Sequence, residues 1–169
     1  MTYAPNMPEL ETSEIDDSLK SEYMSSLRMI ERLHRLLLDV VKDEFERHGS
    51  TEVNSIQALL LYNIGESELS AGELRSRGYY LGSNVSYNLK KLVDMGYISH
   101  ERSDTDRRSV RVKLTDKGQN VCDVINSLYG RQLNALEKVA GINEGNLSDL
   151  NKSLVQLERY WTDQIRFRL

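Results

Sequence analysis

The chain has 169 residues, a net charge of −4, and 39% apolar and 28% charged residues, a composition that suits one globular domain or two small ones sharing a core. No apolar run approaches the roughly 20 residues that span a bilayer, and the acidic start, MTYAPNMPELETSEIDD, lacks the basic and apolar regions of a signal peptide. The lone cysteine, Cys122, excludes an intramolecular disulfide and a cysteine-based zinc site, so the expected address is cytoplasmic.

Residues 1–14 hold both prolines, Pro5 and Pro8, and read as a mobile tail or an arm that a partner orders. Residues 15–48 form one predicted long helix. Its apolar residues step by three or four through Leu19, Tyr23, Leu27, Ile30, Leu33, Leu37, Val41 and Phe45. Asp16 or Asp17 can cap its start and Gly49 can stop it. About 30 residues at 1.5 Å each give some 45 Å, more than a small domain needs. Part of this helix is therefore expected to pack outside its own domain.

Residues 53–114 read as a compact module. Val53–Ile64 is a second helix, apolar on most sides and so expected at the centre. Ser70 opens a short third helix, with Glu73 three residues on in capping-box spacing, and Gly78 closes it. Tyr79-Tyr80-Leu81-Gly82 makes a turn. A fourth helix runs from Ser83 to Met95 and stops at Gly96. Two period-two strands follow, Tyr97–Arg102 and Ser109–Leu114, joined by the turn 103–108. Residues 115–169 supply two more helices. One is capped by Thr115 and runs to about Val139. The other starts at Asn143 or Gly145, with Leu147, Leu150, Leu154, Leu157 and Trp161 spaced as a short coiled-coil seam.

The long first helix and the last two helices are separated in sequence by the module. They must find each other or a second copy of themselves. The seams at both ends favour a homodimer joined by Leu19, Tyr23, Leu27, Leu147, Leu150, Leu154, Leu157 and Trp161.

Charge is unevenly spread. Residues 75–118 carry ten Lys/Arg and five Asp/Glu, a net +5, while the rest of the chain is −9. A basic module on an acidic body is the electrostatic footprint of a DNA binder. Projected at 100° per residue, the fourth helix gathers Val85, Leu89 and Leu92 on one face, with Val93 close by. Ser83, Tyr87, Lys90, Lys91 and Asp94 point the other way, and Asn84 flanks them. Short polar groups and a tyrosine can meet base edges, and lysines suit phosphates. Arg75 and Arg77 are further phosphate candidates by their chemistry. At the turn between the strands, Arg107 and Arg108 precede the outward Arg111 and Lys113, a set able to enter a minor groove. Asp104 or Asp106 would orient an arginine there, because a carboxylate repels DNA.

From Leu69 to Gly118 the chain resembles the winged helix-turn-helix of the MarR family of bacterial transcription regulators. The match lies first in Asp106-Arg107-Arg108-Ser109-Val110-Arg111-Val112-Lys113-Leu114-Thr115, which resembles the D-x-R wing motif and the strand after it. Leu69-Ser70 with Glu73-Leu74, and Leu92, Gly96, Tyr97 and Ile98, are similar to family patterns around the reading helix. The resemblance extends over nearly everything from Asp16 onward. It implies a mainly α fold with a small β-wing: a winged helix-turn-helix flanked by N- and C-terminal dimerisation helices.

The resemblance also implies site residues. Asp106 and Arg108 would form the wing salt bridge, with Arg108 in the minor groove. Ser83, Asn84, Ser86 and Tyr87 would read the major groove. A small aromatic or lipophilic effector would bind between the dimer helices and the module, against His34, Leu38, Leu61 and Tyr62, which serve equally well as plain core. Departures from the family pattern fall at Tyr87, Asn88, Gly72 and Tyr79-Tyr80, and the operator is expected to differ accordingly. The run from Arg77 to Ile98 is similar to the LdtR-like α-proteobacterial subgroup, which implies control of cell-wall or stress genes.

Other chemistry is not indicated. His34, His48 and His100 lack metal-ligand spacing, no cofactor motif is present, and no phosphate loop or catalytic set marks an enzyme. Cys122 has Asp123 beside it and reads as core. The expected protein is a homodimeric, sequence-specific regulator that binds a pseudo-palindromic double-stranded operator. The rival is a winged-helix protein-interaction module without DNA binding. The +5 segment argues against that rival.

Overall fold

The computed structural model describes residues 16–50, 52–65, 69–70, 82–102 and 110–167. In chain order they form α1 (Asp17–Arg47), α2 (Ser55–Ile64), β1 (Leu69–Ser70), α3 (Gly82–Asp94), β2 (Ile98–Arg102), β3 (Val110–Leu114), α4 (Asp116–Ala140) and α5 (Glu144–Phe167).

Helix α1 starts where a carboxylate can serve an orphan amide: the Asp16 side chain accepts from Ser18 N at 2.9 Å. Ion pairs one turn apart run along its exposed side, Glu31–Arg35 at 2.7 Å and Asp43–Arg47 at 2.6 Å. Only Val41, Glu44 and Phe45 are buried, all near its end. The last turns therefore pack into the module, and the rest of the ~46 Å rod projects beyond it.

Helix α2 sits at the centre, with Ala58, Leu59, Leu60, Leu61 and Ile64 all buried. It begins two residues later than its apolar run. Asn54 and Gln57 build a reciprocal capping box there, and Val53 is buried ahead of it. Ser55 Oγ donates to Leu38 O at 2.7 Å and pins α2 to α1. The core is completed by Leu89 and Leu92 of α3, by Tyr97, Ile98 and Val112, and by Val121, Cys122, Ile125 and Leu128 of α4. Those four α4 residues recur at helical spacing and form one stripe.

The sheet has one strand more than expected. Its order is β1-β3-β2, all antiparallel, with Leu69 opposite Val112 and Ile98 opposite Leu114. Ser70, expected to cap a third helix, is instead paired in β1 opposite Arg111. The rest of that predicted helix, residues 71–78, lies outside the described residues.

Two regions hold the ends of the chain together. Glu44 is buried, and its carboxylate takes a 2.5 Å ion pair from Arg131 of α4. Trp161 Nε1 of α5 donates to Tyr23 Oη of α1 at 3.2 Å. Helix α5 has no buried residue at all.

Candidate nucleic-acid interface

Helix α3 is amphipathic in the way its sequence implies. Leu89 and Leu92 are buried and Val93 is half-buried, while Ser86, Tyr87, Lys90, Lys91 and Asp94 are exposed. Tyr87 is 66% exposed, which is high for a tyrosine in mid-helix. A phenol held in water at the centre of a polar face is available to a partner. The helix ends in a Schellman closure: Gly96 N donates to Val93 O at 2.9 Å, and Tyr97 N to Leu92 O at 2.9 Å. The closure needs Gly96 in the left-handed region, with φ of 76°.

That closure drives Tyr97 inward and fastens it to the start of α4. Thr115 Oγ1 donates to Gly96 O at 2.7 Å, and Thr115 N to Tyr97 O at 3.1 Å. Gly118 lies so close that a Cβ there would sit 2.2 Å from Tyr97 O. Around the phenol, Tyr97 Oη donates to Glu52 Oε2 at 2.7 Å, and Lys117 Nζ pairs with the same oxygen at 2.9 Å while covering the ring at 4.3 Å. The Lys117 ammonium and then the Tyr97 hydroxyl hold the Glu52 carboxyl below its usual range. The carboxylate in turn raises Lys117, and burial followed by the bond to Glu52 raises Tyr97.

Asn88, expected with Tyr87 to mark a divergent operator, is half-buried, and its Oδ1 accepts from Gln57 Nε2 of α2 at 3.3 Å. Sequence reasoning missed Gln57. The Asn-x-x-Gln spacing at 54–57 was the available signal.

The remaining expected DNA contacts divide into three groups. Ser83 and Asn84 fall in the first turn of α3, and Arg111 falls in β3. Their backbones are placed; their side chains lie outside the described residues. Arg75, Arg77, Asp106, Arg107 and Arg108 lie outside the described residues altogether. On β3, Val112 is buried and Lys113 exposed, the alternation expected of a strand with one face on the core.

The terminal helices carry an open apolar seam. Leu19, Tyr23, Leu150 and Leu154 are exposed, and Leu27, Leu147, Leu157 and Trp161 are half-buried. A groove of about 560 Å³ runs past Ile30, Leu154, Leu157, Trp161 and Ile165. A second, of about 920 Å³, opens between α4 and α5 against Leu133, Leu136, Ile142, Leu147 and Val155. The expected effector residues do not share one environment. Leu61 is fully buried, Leu38 is half-buried, and Tyr62 meets Tyr129 edge-on at 5.4 Å. His34 is exposed on α1, and none of the four lines either groove.

Cys122 is buried in the core, where burial, then the charge of Asp123, pushes its thiol up to about 11. Among the described residues no cluster of three His, Cys, Asp or Glu could hold a metal ion, and no helix is long and apolar enough to cross a membrane.

Comparison with known proteins gives these features a context. A family described as a winged helix DNA-binding domain matches residues 53–118. The exopolysaccharide II synthesis transcriptional activator ExpG of Rhizobium meliloti (strain 1021) is 36% identical over 155 residues, covering 90% of this chain and 77% of that protein. A MarR transcriptional regulator from Methanosarcina mazei Go1 superposes with a TM-score of 0.65 at 20% identity, over 83% of this chain and 98% of that one. A mutant MarR from E.coli, solved with operator DNA, gives 0.63 at 19% identity, over 80% of this chain and 95% of that one. At such identities the two structures show a shared fold.

Proposed function

The chain belongs to the MarR family of winged-helix DNA-binding transcription regulators, and from that premise we propose that it works as a homodimer on a pseudo-palindromic operator. The observation that carries the proposal is the pairing of two exposed surfaces. One is the Tyr87, Lys90 and Lys91 face of α3; the other is the apolar seam on α1 and α5. A helix with no buried residue but with Leu150, Leu154 and Val155 along it is stable in water only when something covers it. A second copy supplies a matching seam, and two-fold symmetry then presents two reading helices to two half-sites about 34 Å apart.

Within this reading, Ser83, Asn84, Ser86 and Tyr87 contact base edges, and Lys90, Lys91, Arg75 and Arg77 contact phosphates. Arg107, Arg108 and Arg111 carry the wing, with Asp106 orienting Arg108. The effector acts by population shift: it favours a dimer whose reading helices no longer match the half-sites. The name of ExpG, a transcriptional activator of exopolysaccharide II synthesis, supports envelope or exopolysaccharide genes as targets. A protein that acts on the chromosome works in the cytoplasm.

Sedimentation of the purified protein should give twice the 19.5 kDa chain mass, and a gel shift against the DNA upstream of its own gene should give a salt-sensitive complex. Arg108→Ala should weaken that complex by roughly 1–3 kcal/mol and lower its salt slope by about one. An unchanged slope would remove Arg108 from the wing contact.

A further inference from the structure

We propose that the Gln57–Asn88 pair fixes the rotation of α3 about its own axis, which makes Asn88 a positioning residue for operator selection and not a groove reader. This deepens the DNA-binding reading above and rests on it.

Gln57 is 1% exposed in the buried helix α2, where a polar amide has no place unless both its ends are used. Its Oε1 accepts from Asn54 N at 3.1 Å, closing the capping box. A backbone N–H can only donate, so this bond decides which end of the amide is oxygen. The NH2 group is thereby turned toward α3, where Asn88 Oδ1 accepts it at 3.3 Å. A direction set by the backbone of α2 is passed through one side chain to α3.

Asn88 sits at the edge of the buried face, one position before Leu89 and one after Tyr87. Leucine packing holds α3 against the core, but apolar contact is non-directional and resists rolling weakly. A hydrogen bond is directional and weakens steeply off its axis. With side-chain ends about 6 Å from the helix axis, a roll of about 20° moves them by about 2 Å. That displacement separates a hydrogen bond from no contact at a base edge. Tyr87, on the adjoining position, would be re-aimed with it.

The test uses the full-length protein and two duplexes: one enriched from a random-sequence library by the wild type, and a scrambled duplex of equal composition. Enrichment of no duplex by the wild type overturns the DNA-binding reading itself. Three variants are compared: Asn88→Leu, Gln57→Leu with Asn88→Leu, and Asn88→Asp, which keeps the acceptor. In both leucine variants the preference for the enriched duplex should fall at least tenfold, while affinity for the scrambled duplex and its salt dependence stay at wild-type values. Asn88→Asp should weaken both duplexes alike and keep the preference. Wild-type preference in the double leucine variant overturns the proposal. Loss of preference in Asn88→Asp overturns it too, because the acceptor is then irrelevant. Failure of the double variant to unfold cooperatively also overturns it, by assigning the pair to stability alone.

Discussion

Among the described glycines, Gly118 leaves the least room for a side chain. A methyl group there would lie 2.2 Å from the Tyr97 carbonyl oxygen and 3.1 Å from Leu114 Cδ2. Neither the backbone of the turn nor the start of α4 can yield without breaking the Thr115 bonds. Gly118→Ala should cost at least about 1–3 kcal/mol, read as a lowered midpoint in urea. Cys122 makes a second prediction at this scale. Its thiol is raised from an ordinary 9.0 to about 11, so the folded state favours the protonated form. The stability this confers is complete below pH 9 and is lost as pH rises toward about 11. Iodoacetamide should therefore label Cys122 slowly in the native protein at pH 8 and rapidly in denaturant. Equal rates would show the thiol to be open.

At the scale of elements, Arg131 and Glu44 tie α1 to α4. Arg131→Met leaves the buried Glu44 carboxylate without its arginine partner, the His48 ring remaining 3.4 Å away, and should cost about 1–3 kcal/mol by thermal unfolding. Adding Glu44→Leu should recover most of the loss, because the charge that needed a partner is gone. This pair also shows why some of the fold was legible in the sequence and some was not. Helix ends are written locally: Asp16, Thr115 and Gly96 act within a few residues, and each ends or starts a helix where its chemistry places it. Burial of α2 followed from the apolar residues on most of its sides. Glu44 and Arg131 are 87 positions apart, and nothing local distinguishes either from a solvated charge. Strand β1 was hidden for a related reason. Two residues have no periodicity, and Leu69 and Ser70 become a strand only because β3 offers them an edge. At the site, the face carrying Tyr87, Lys90 and Lys91 could be read from a 100° projection. The inward turn of Asn88 could not, since it depends on Gln57 in another helix.

At the scale of the whole molecule, the dimer proposed above would make the seam on α1 and α5 govern function through mass action. Leu150→Glu with Leu154→Glu would place two carboxylates on the surface that a second copy is expected to cover. These residues are exposed in the single chain, so its fold should persist. Sedimentation should then report 19.5 kDa. Operator affinity should drop roughly 10²–10⁴-fold, because two linked half-site contacts become two independent ones. A dimer that survives the double variant would move the interface elsewhere.

The joint between Gly96 and Gly118 gives α4 a mechanical role. The helix is about 37 Å long, and its first turn is bonded to the turn that ends α3. The two behave as arm and tool of one lever. A tilt of about 5° at the far end of such an arm carries the reading helix through about 3 Å, comparable to one base-pair step. Small repacking among the terminal helices would thus be geared up at the reading helix, and the effector proposed above would need to move little to be felt there.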